Sequence, residues 1–335
     1  MTLPPEENRN SQEFRFFLES LSQARQRLRG LVARLKGSDP LTPVTVAGPS
    51  TYALLSLRHA LGRQGMANVR FMLLPRLAEL LGAPTLVARG LRPLTPILES
   101  AAVRAAAAEA LGPLEPLRDH PSLHRSLGAT FKELRYATTE ALTRLEARDG
   151  VRAEVIRLYR RFRERTAGYY DREALAQSAA EAVCSGAARG LNDLGAIIFY
   201  LVRGLTPGER ALVEELARKW ECFMLLGVTG DTEADAGVCA LLPGLSQVLG
   251  TPHESSCHPA SAESHLVIAP DAAEEVRWVA RHILRNAQEG APFHSMAVFY
   301  PQPVPLCLSI AGPARPGRGP HLRAGGCFSG GYSSG

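Results

Sequence analysis

The sequence has very little lysine and lacks the motif of conventional nucleotide hydrolysis. Its 38 basic residues are 35 arginines and three lysines, which are Lys36, Lys132 and Lys219. No segment follows the pattern G-x-x-x-x-G-K-[ST], in which glycines, a lysine and a hydroxyl hold phosphates and magnesium. The absence excludes a conventional phosphate-binding loop, and we expect this chain to hold no cofactor.

Long apolar runs and paired cysteines are missing as well. No stretch of about 18 apolar residues occurs, and the first ten residues are polar and acidic, so we expect a cytoplasmic protein without a membrane partner. The six cysteines contain no C-x-x-C pair. Cys257 and His258, with His253 nearby, lie in a polar segment without a second ligand pair. We therefore predict free thiols and no metal site.

The chain begins with the spacing of an amphipathic helix. Apolar residues recur every three or four positions over residues 12–36, and Asn10 or Ser11 is available as the N-cap. A later helix over residues 74–81 is expected to end at Gly82, because glycine commonly terminates helices and Pro84 follows closely. These two helices flank the first strands of the chain.

Strands alternate with helices before residue 94 and again after residue 191, which indicates an α/β protein with a parallel sheet. Short apolar or β-branched runs predict strands at 44–47, 68–73, 195–200, 222–228, 265–268 and 295–299. Helical spacing between the later runs predicts helices at 207–219 and 271–289.

Residues 95–190 show helical periodicity only. The predicted helices there cover 97–111, 122–134, 137–148, 153–166 and 172–184. An all-α insertion therefore interrupts one α/β domain, and the end of the chain is rich in proline, glycine and serine, which predicts disorder. The expected domains are the first α/β part at 1–94, the insertion at 95–190, the second α/β part at 191–301 and a tail at 302–335.

One candidate for nucleotide binding lies at the ends of predicted strands. Gly48, Ser50 and Thr51 stand between a strand and a helix, and Asp231 follows another strand at the edge where α/β proteins usually bind ligands. The competing interpretation is ordinary turn chemistry, since the segment has one glycine and no lysine, and Pro49 removes an N–H donor. We favour the turn interpretation for both positions.

No catalytic residue is predicted. Asp271 and Glu275 superficially match the carboxylates of a PD-(D/E)XK nuclease, but no lysine follows them. The acidic residues fit better in the first turn of a helix, where the helix dipole favours negative charge.

The candidate DNA-binding surface is the densest basic and aromatic stretch, which holds Arg157, Arg160, Arg161, Arg163 and Arg165. Arginine forks suit phosphates, and aromatic rings can stack on bases. The alternative is a solvated helix face in which Glu154 and Glu164 pair with the arginines, while Tyr159 and Phe162 turn to the core. We favour the solvated face.

Several segments, in this order, resemble PD-(D/E)XK family helicase/nuclease proteins, and more narrowly the AddB-type component of the AddAB ATP-dependent helicase/nucleases. The similarity covers about residues 12–300 and is carried by residues 43–50, 57–61, 68–71, 77–84, 130–135, 170–171, 225–231, 274–281 and 296–298. It implies a helicase-like parallel sheet of degenerate P-loop NTPase type with an all-α insertion. It also implies a complex that processes double-strand breaks for DNA repair and recombination.

The resemblance also implies which catalytic parts are missing. Active relatives have a strand and phosphate loop before the first helix, where this chain offers Glu6 to Ser11, and a magnesium-binding acidic pair where Ile197 and Ile198 stand. The nuclease domain of the family is expected to lie beyond residue 335. We therefore expect a non-catalytic scaffold that binds DNA without sequence preference and a partner helicase subunit. The alternatives are an ATPase with an unconventional nucleotide site, or a truncated product without independent function.

Overall fold

The computed structural model describes residues 15–62, 67–148, 150–254 and 265–299. It confirms an α/β protein with a parallel sheet, whose six strands are ordered β3-β2-β6-β7-β1-β8. The six strands are β1 (Phe16–Glu19), β2 (Val44–Gly48), β3 (Val69–Leu73), β6 (Ala196–Tyr200), β7 (Cys222–Gly227) and β8 (His253–Glu254), and a separate pair is formed by β4 (Arg92–Pro93) and β5 (Tyr169–Tyr170).

Between and after the strands, the described residues form helices. They are α1 (Leu21–Lys36), α2 (Thr51–Gly62), α3 (Leu74–Ala88), α4 (Pro96–Ala107), α5 (Pro121–Leu134), α6 (Thr139–Glu146), α7 (Val151–Arg165), α8 (Arg172–Ser185), α9 (Leu191–Leu194), α10 (Pro207–Lys219), α11 (Ala236–Cys239), α12 (Leu242–Leu249) and α13 (Ala272–Gln288). Two short 3₁₀ helices lie at Gly112–Leu117 and Phe293–Ser295.

Each face of the sheet has its own hydrophobic cluster. Residues of α1 and α2 pack on one face, and residues of α3, α8 and α10 pack on the other. Because both faces are covered, the central strands are apolar throughout, and every residue of β2 and β6 is buried.

The predicted helix at 12–36 is wrong at its beginning, because residues 16–19 form the buried strand β1. Phe16, Phe17 and Leu18 are consecutive apolar residues between two layers of helices, and that position favours a strand over a helix. The helix starts only after Ser20, which is its N-cap. The predicted caps Asn10 and Ser11 lie outside the described residues.

The predicted end of the helix at 74–81 is also wrong, since α3 continues through Gly82 and Pro84 to Ala88. Gly82 serves a close helix contact there, because a Cβ at this position would lie 2.5 Å from the carbonyl oxygen of Leu175 in α8. Ser178 of α8 donates a hydrogen bond to the carbonyl of Gly82 at 3.2 Å. The glycine therefore marks packing and not a helix end.

The helical insertion has its own core but is shorter than the predicted 95–190. A third hydrophobic cluster joins α4, α5 and α7, with Phe131 and Phe162 at its centre. The β4–β5 pair brings the entrance and exit of this insertion together. Helix α8 belongs to the α/β part instead, because its buried residues pack with those of α3 and α10.

The last described segment belongs to a separate unit that begins at Ser261. The strands predicted at 265–268 and 295–299 are not formed there, although α13 between them is. Neither segment has a hydrogen-bonded strand neighbour within the described residues, and a strand exists only through such pairing. Leu266, Ile268 and Phe299 are each about nine-tenths exposed. The predicted tail at 302–335 lies outside the described residues.

Candidate functional site

The carboxyl edge of the sheet is where the nucleotide-binding candidates lie. All six strands run parallel, so their carboxyl ends meet at one edge, which is where α/β proteins usually bind ligands. Gly48 ends β2 and Gly227 ends β7, with β6 between them. At the usual strand spacing these two ends are about 10 Å apart across the sheet.

The junction from β1 to α1 is too short for a phosphate loop, since Ser20 alone separates the strand from the helix. Its hydroxyl accepts a hydrogen bond from the backbone N–H of Gln23 at 3.4 Å, and the Gln23 side chain accepts one from the backbone N–H of Ser20 at 3.2 Å. The chain's own side chains therefore satisfy two of the amides at this helix start, those of Ser20 and Gln23.

A carboxylate also occupies this junction. Glu19 is the last residue of β1, is almost completely buried and pairs with Arg27 of α1, whose Nε lies 2.8 Å from its Oε1. The guanidinium at this junction is therefore already paired within the chain. The expectation that only Glu6 to Ser11 precede the first helix is thus corrected, because a strand precedes it but leads directly into the helix.

Gly48, Ser50 and Thr51 have local roles between β2 and α2. A Cβ at position 48 would lie 2.6 Å from Cδ2 of Leu54, so this glycine makes room for the packing of α2. The Ser50 hydroxyl accepts a hydrogen bond from the backbone N–H of Ala53 at 3.2 Å, and Thr51 is exposed in the first turn. The arrangement is that of a capped strand-to-helix turn.

In the segment after β7, backbone amides donate to a carboxylate that the sequence pattern does not single out. Asp235, which is buried, accepts hydrogen bonds from the backbone N–H of Thr229 at 2.9 Å, from the Thr229 hydroxyl at 3.0 Å and from the backbone N–H of Gly230 at 2.9 Å. Burial opposes its ionisation, but these bonds and the charge of Arg203 lower its pKa overall. Backbone amides that could hold a phosphate therefore hold Asp235.

Asp231, the predicted residue of this segment, makes a smaller contribution. It is exposed, and its carboxylate accepts one hydrogen bond from the backbone N–H of Ala234 at 2.8 Å. Both aspartates follow the same strand at similar distances along the chain, and only the folded geometry distinguishes them. The sequence carried no signal that would have selected Asp235.

The end of β6 carries no acidic pair. Ile197 and Ile198 are fully buried, and they are followed by Phe199 and Tyr200, which are also buried. Burial raises the pKa of the Tyr200 hydroxyl, so it stays protonated near neutral pH. No group on this strand can hold a magnesium ion, and the described residues contain no group of three or more metal-ligating side chains suited to one.

The five candidate DNA-binding arginines all have acidic partners in or near α7. The pairs, each within 4.0 Å, are Arg157 with Glu154, Arg160 with Glu146, Arg161 with Glu164 and Glu109, Arg163 with Asp171, and Arg165 with Glu109. Tyr159 and Phe162 lie in the core of the insertion, so they present no stacking surface. This face of α7 therefore has the geometry of a solvated, ion-paired surface, which is the interpretation that we favoured from the sequence.

The pair of Arg157 and Glu154 is structural. The hydrogen bond from Arg157 lowers the pKa of Glu154, whose carboxylate also accepts one from the backbone N–H of Leu111 at 2.6 Å. The pair therefore fixes the segment after α4 to α7. Arg160, Arg161, Arg163 and Arg165 are about half exposed on the same helix.

Comparison of the chain with models of known protein families gave no match, and comparison with curated protein sequences gave none either. In the part of the chain that the structure describes, no helix has both the length and the hydropathy needed to cross a membrane.

Proposed function

We propose that this chain is a non-catalytic, helicase-like module that binds DNA without nucleotide and acts as a scaffold in a helicase–nuclease complex of double-strand-break repair and recombination. The order of the strands supports the helicase-like part. A phosphate loop after β1 and an acidic pair after β6 would have to act on one nucleotide, and β1 and β6 both lie next to β7. Their carboxyl ends therefore flank a single place at the edge of the sheet.

The non-catalytic part rests on one observation. At this edge, carboxylates of the chain itself bind groups that a nucleotide would use. Glu19 pairs with Arg27 after β1, and Asp235 takes the amides after β7. The amides of Gln23, Thr229 and Gly230 already have acceptors within the chain, and Arg27 is already paired, so a nucleotide would have to displace these contacts. An unconventional ATPase site around Gly48 and Asp231 finds no support in this geometry.

The DNA-binding part rests on the excess of arginine and on the resemblance in sequence. Arginine forks hold phosphates without reading bases, so binding is expected to be independent of sequence. A scaffold role also needs a surface for a partner chain, and the exposed apolar side chains of Leu266, Ile268 and Phe299 are of the kind found at protein interfaces.

Fluorescence anisotropy with labelled single- and double-stranded DNA tests this proposal. The full chain is titrated at salt concentrations between about 50 and 200 mM, with and without magnesium and ATP. We expect affinity to fall steeply as salt rises, because phosphate contacts release counterions, and to be unchanged by ATP. Binding that does not depend on salt, or no binding by a cooperatively folded sample, would reject the DNA-binding role.

A further inference from the structure

A groove of about 680 Å³ runs between α4 and α5 of the insertion. Positions on one face of each helix line it, spaced three and four residues apart, and they include Glu99, Ser100, Arg104, Arg125, Gly128 and Lys132. The small residues Ser100, Gly128 and Ala129 line it together with the charged ones. The lining positions of α5 run from Pro121 to Lys132, eleven helical steps that correspond to a length of about 16 Å.

The two helices run antiparallel, which places the arginines together. Nζ of Lys132 lies 3.6 Å from a carboxylate oxygen of Glu99, and a Cβ on Gly128 would lie 3.9 Å from Val103. Position along α4 therefore increases as position along α5 decreases. Arg104 of α4 therefore lies beside the turn of α5 that carries Arg125. Both arginines are at the end of the groove that is far from Glu99.

Among the described residues these two arginines have no acidic partner, in contrast to the five candidate DNA-binding arginines of α7. Both are exposed, and within the described residues neither forms an ion pair or a hydrogen bond to a carboxylate. Glu99 cannot neutralise them, because it is bound by Lys132 and by Arg135 at 2.8 Å. Two positive charges at one end of a groove repel each other and attract an anion. A bound anion relieves the repulsion between them.

The shape of the groove selects an extended anion. Ser100 and Gly128 add little side-chain bulk to the lining, and Arg104 and Arg125 lie at one end, whereas Lys132 at the other end is paired with Glu99. The axes of packed helices are about 8–10 Å apart, so a furrow between them admits one strand but not a duplex. We infer that the groove between α4 and α5 binds the phosphodiester backbone of single-stranded nucleic acid. The inference rests on the proposed DNA-binding function and identifies its site.

The test compares two double charge reversals in the full chain. Arg104→Glu with Arg125→Glu removes the groove cations, and Arg160→Glu with Arg163→Glu makes the same change of charge on the exposed face of α7. Binding to a labelled thymidine oligonucleotide is measured by anisotropy over a salt series. We expect the groove variant to bind about tenfold more weakly or worse, with a salt slope shallower by about 1.4 for two lost phosphate contacts. The α7 variant should stay within about twofold of the unmodified chain.

The other outcomes are distinct. Unmodified binding by the groove variant, in a sample where the unmodified chain binds, overturns the inference and leaves the proposed function standing. No binding by the unmodified chain rejects the proposed function itself. Polyglutamate that displaces the oligonucleotide at equal charge concentration would assign the groove to an acidic peptide and overturn the nucleic-acid assignment. Arg104→Gln with Arg125→Gln, together with the melting temperature of each variant, separates loss of contacts from loss of fold.

Discussion

Replacing Gly195 by alanine is expected to lower the free energy of unfolding by about 3–5 kcal/mol, the largest effect that we expect from a single substitution in this chain. Gly195 has φ +62° and ψ −154°, a conformation that residues with a Cβ rarely adopt. The new Cβ would also lie 1.8 Å from the carbonyl oxygen of Pro43, a backbone atom that cannot move alone. Denaturant unfolding followed by circular dichroism measures the change.

Gly186→Ala is the matched control for this prediction. Gly186 also has a positive φ, of +73°, and ends α8 as its C-cap, but no atom lies within 4 Å of the position that a Cβ would take there. The strain of the left-handed conformation alone should cost about 1–2 kcal/mol. Equal losses in the two variants would contradict a decisive role for the contact with Pro43.

Asp235→Ala is expected to lower the free energy of unfolding by about 2–4 kcal/mol, because it removes a buried carboxylate that accepts hydrogen bonds from the backbone N–H groups of Thr229 and Gly230 and from the Thr229 hydroxyl. Asp231→Ala, in the same segment, removes a single exposed capping bond to Ala234 and should cost about 1 kcal/mol. Thermal or denaturant unfolding of both variants gives the comparison. A loss at Asp235 no larger than that at Asp231 would mean that the carboxylate does not hold this segment.

The contribution of Asp235 should depend on pH. Folding lowers its pKa below the ordinary value of 3.8, so the ionised carboxylate stabilises the folded state at pH values above 3.8. That stabilisation is lost as the pH falls through the lowered pKa. We therefore expect the difference in stability between the unmodified chain and Asp235→Asn to be constant near neutral pH and to shrink below pH 3.8. A difference that grew on acidification would have the wrong sign.

The central strands and most helices could be predicted from the sequence because local pattern decides them. The runs at 44–47, 195–200 and 222–228 are continuous apolar segments, as strands covered on both faces must be, and the structure has β2, β6 and β7 there. Alternation of strands and helices also predicted the parallel sheet. These features depend on residues that are neighbours in the sequence.

The remaining elements depend on partners that are distant in the sequence. The spacing of Phe16, Phe17 and Leu18 is compatible with a helix and with a strand, and only their pairing with β7 selects the strand. Residues 265–268 have the composition of a strand, but no neighbouring strand pairs with them among the described residues. Gly82 has the appearance of a helix end because its contact with α8, more than ninety residues later, is invisible in the local sequence.

The candidate site also combines local features, which the sequence reveals, with tertiary contacts, which it does not. The sequence could show that a lysine-bearing phosphate loop is absent, since a motif is local. It also predicted that Glu154 and Glu164 pair with arginines of α7, because these residues are close in the sequence. It could not show that Asp235 binds the amides after β7, or that Arg104 and Arg125 have no acidic partner among the described residues. Those facts depend on which side chains the fold brings within about 4 Å of each other, and that is a property of tertiary structure.

Equilibrium binding of ATP to the full chain, measured by calorimetry with magnesium and with single-stranded DNA both absent and present, most directly tests whether the edge of the sheet is closed to nucleotides. We predict no saturable binding up to about 1 mM ATP, which corresponds to less than about 4 kcal/mol of binding free energy, because buried carboxylates hold this edge. Saturable binding in the micromolar range, weakened by substitution of Ser50 or Thr51, would show that the edge accepts a nucleotide and would contradict the non-catalytic role.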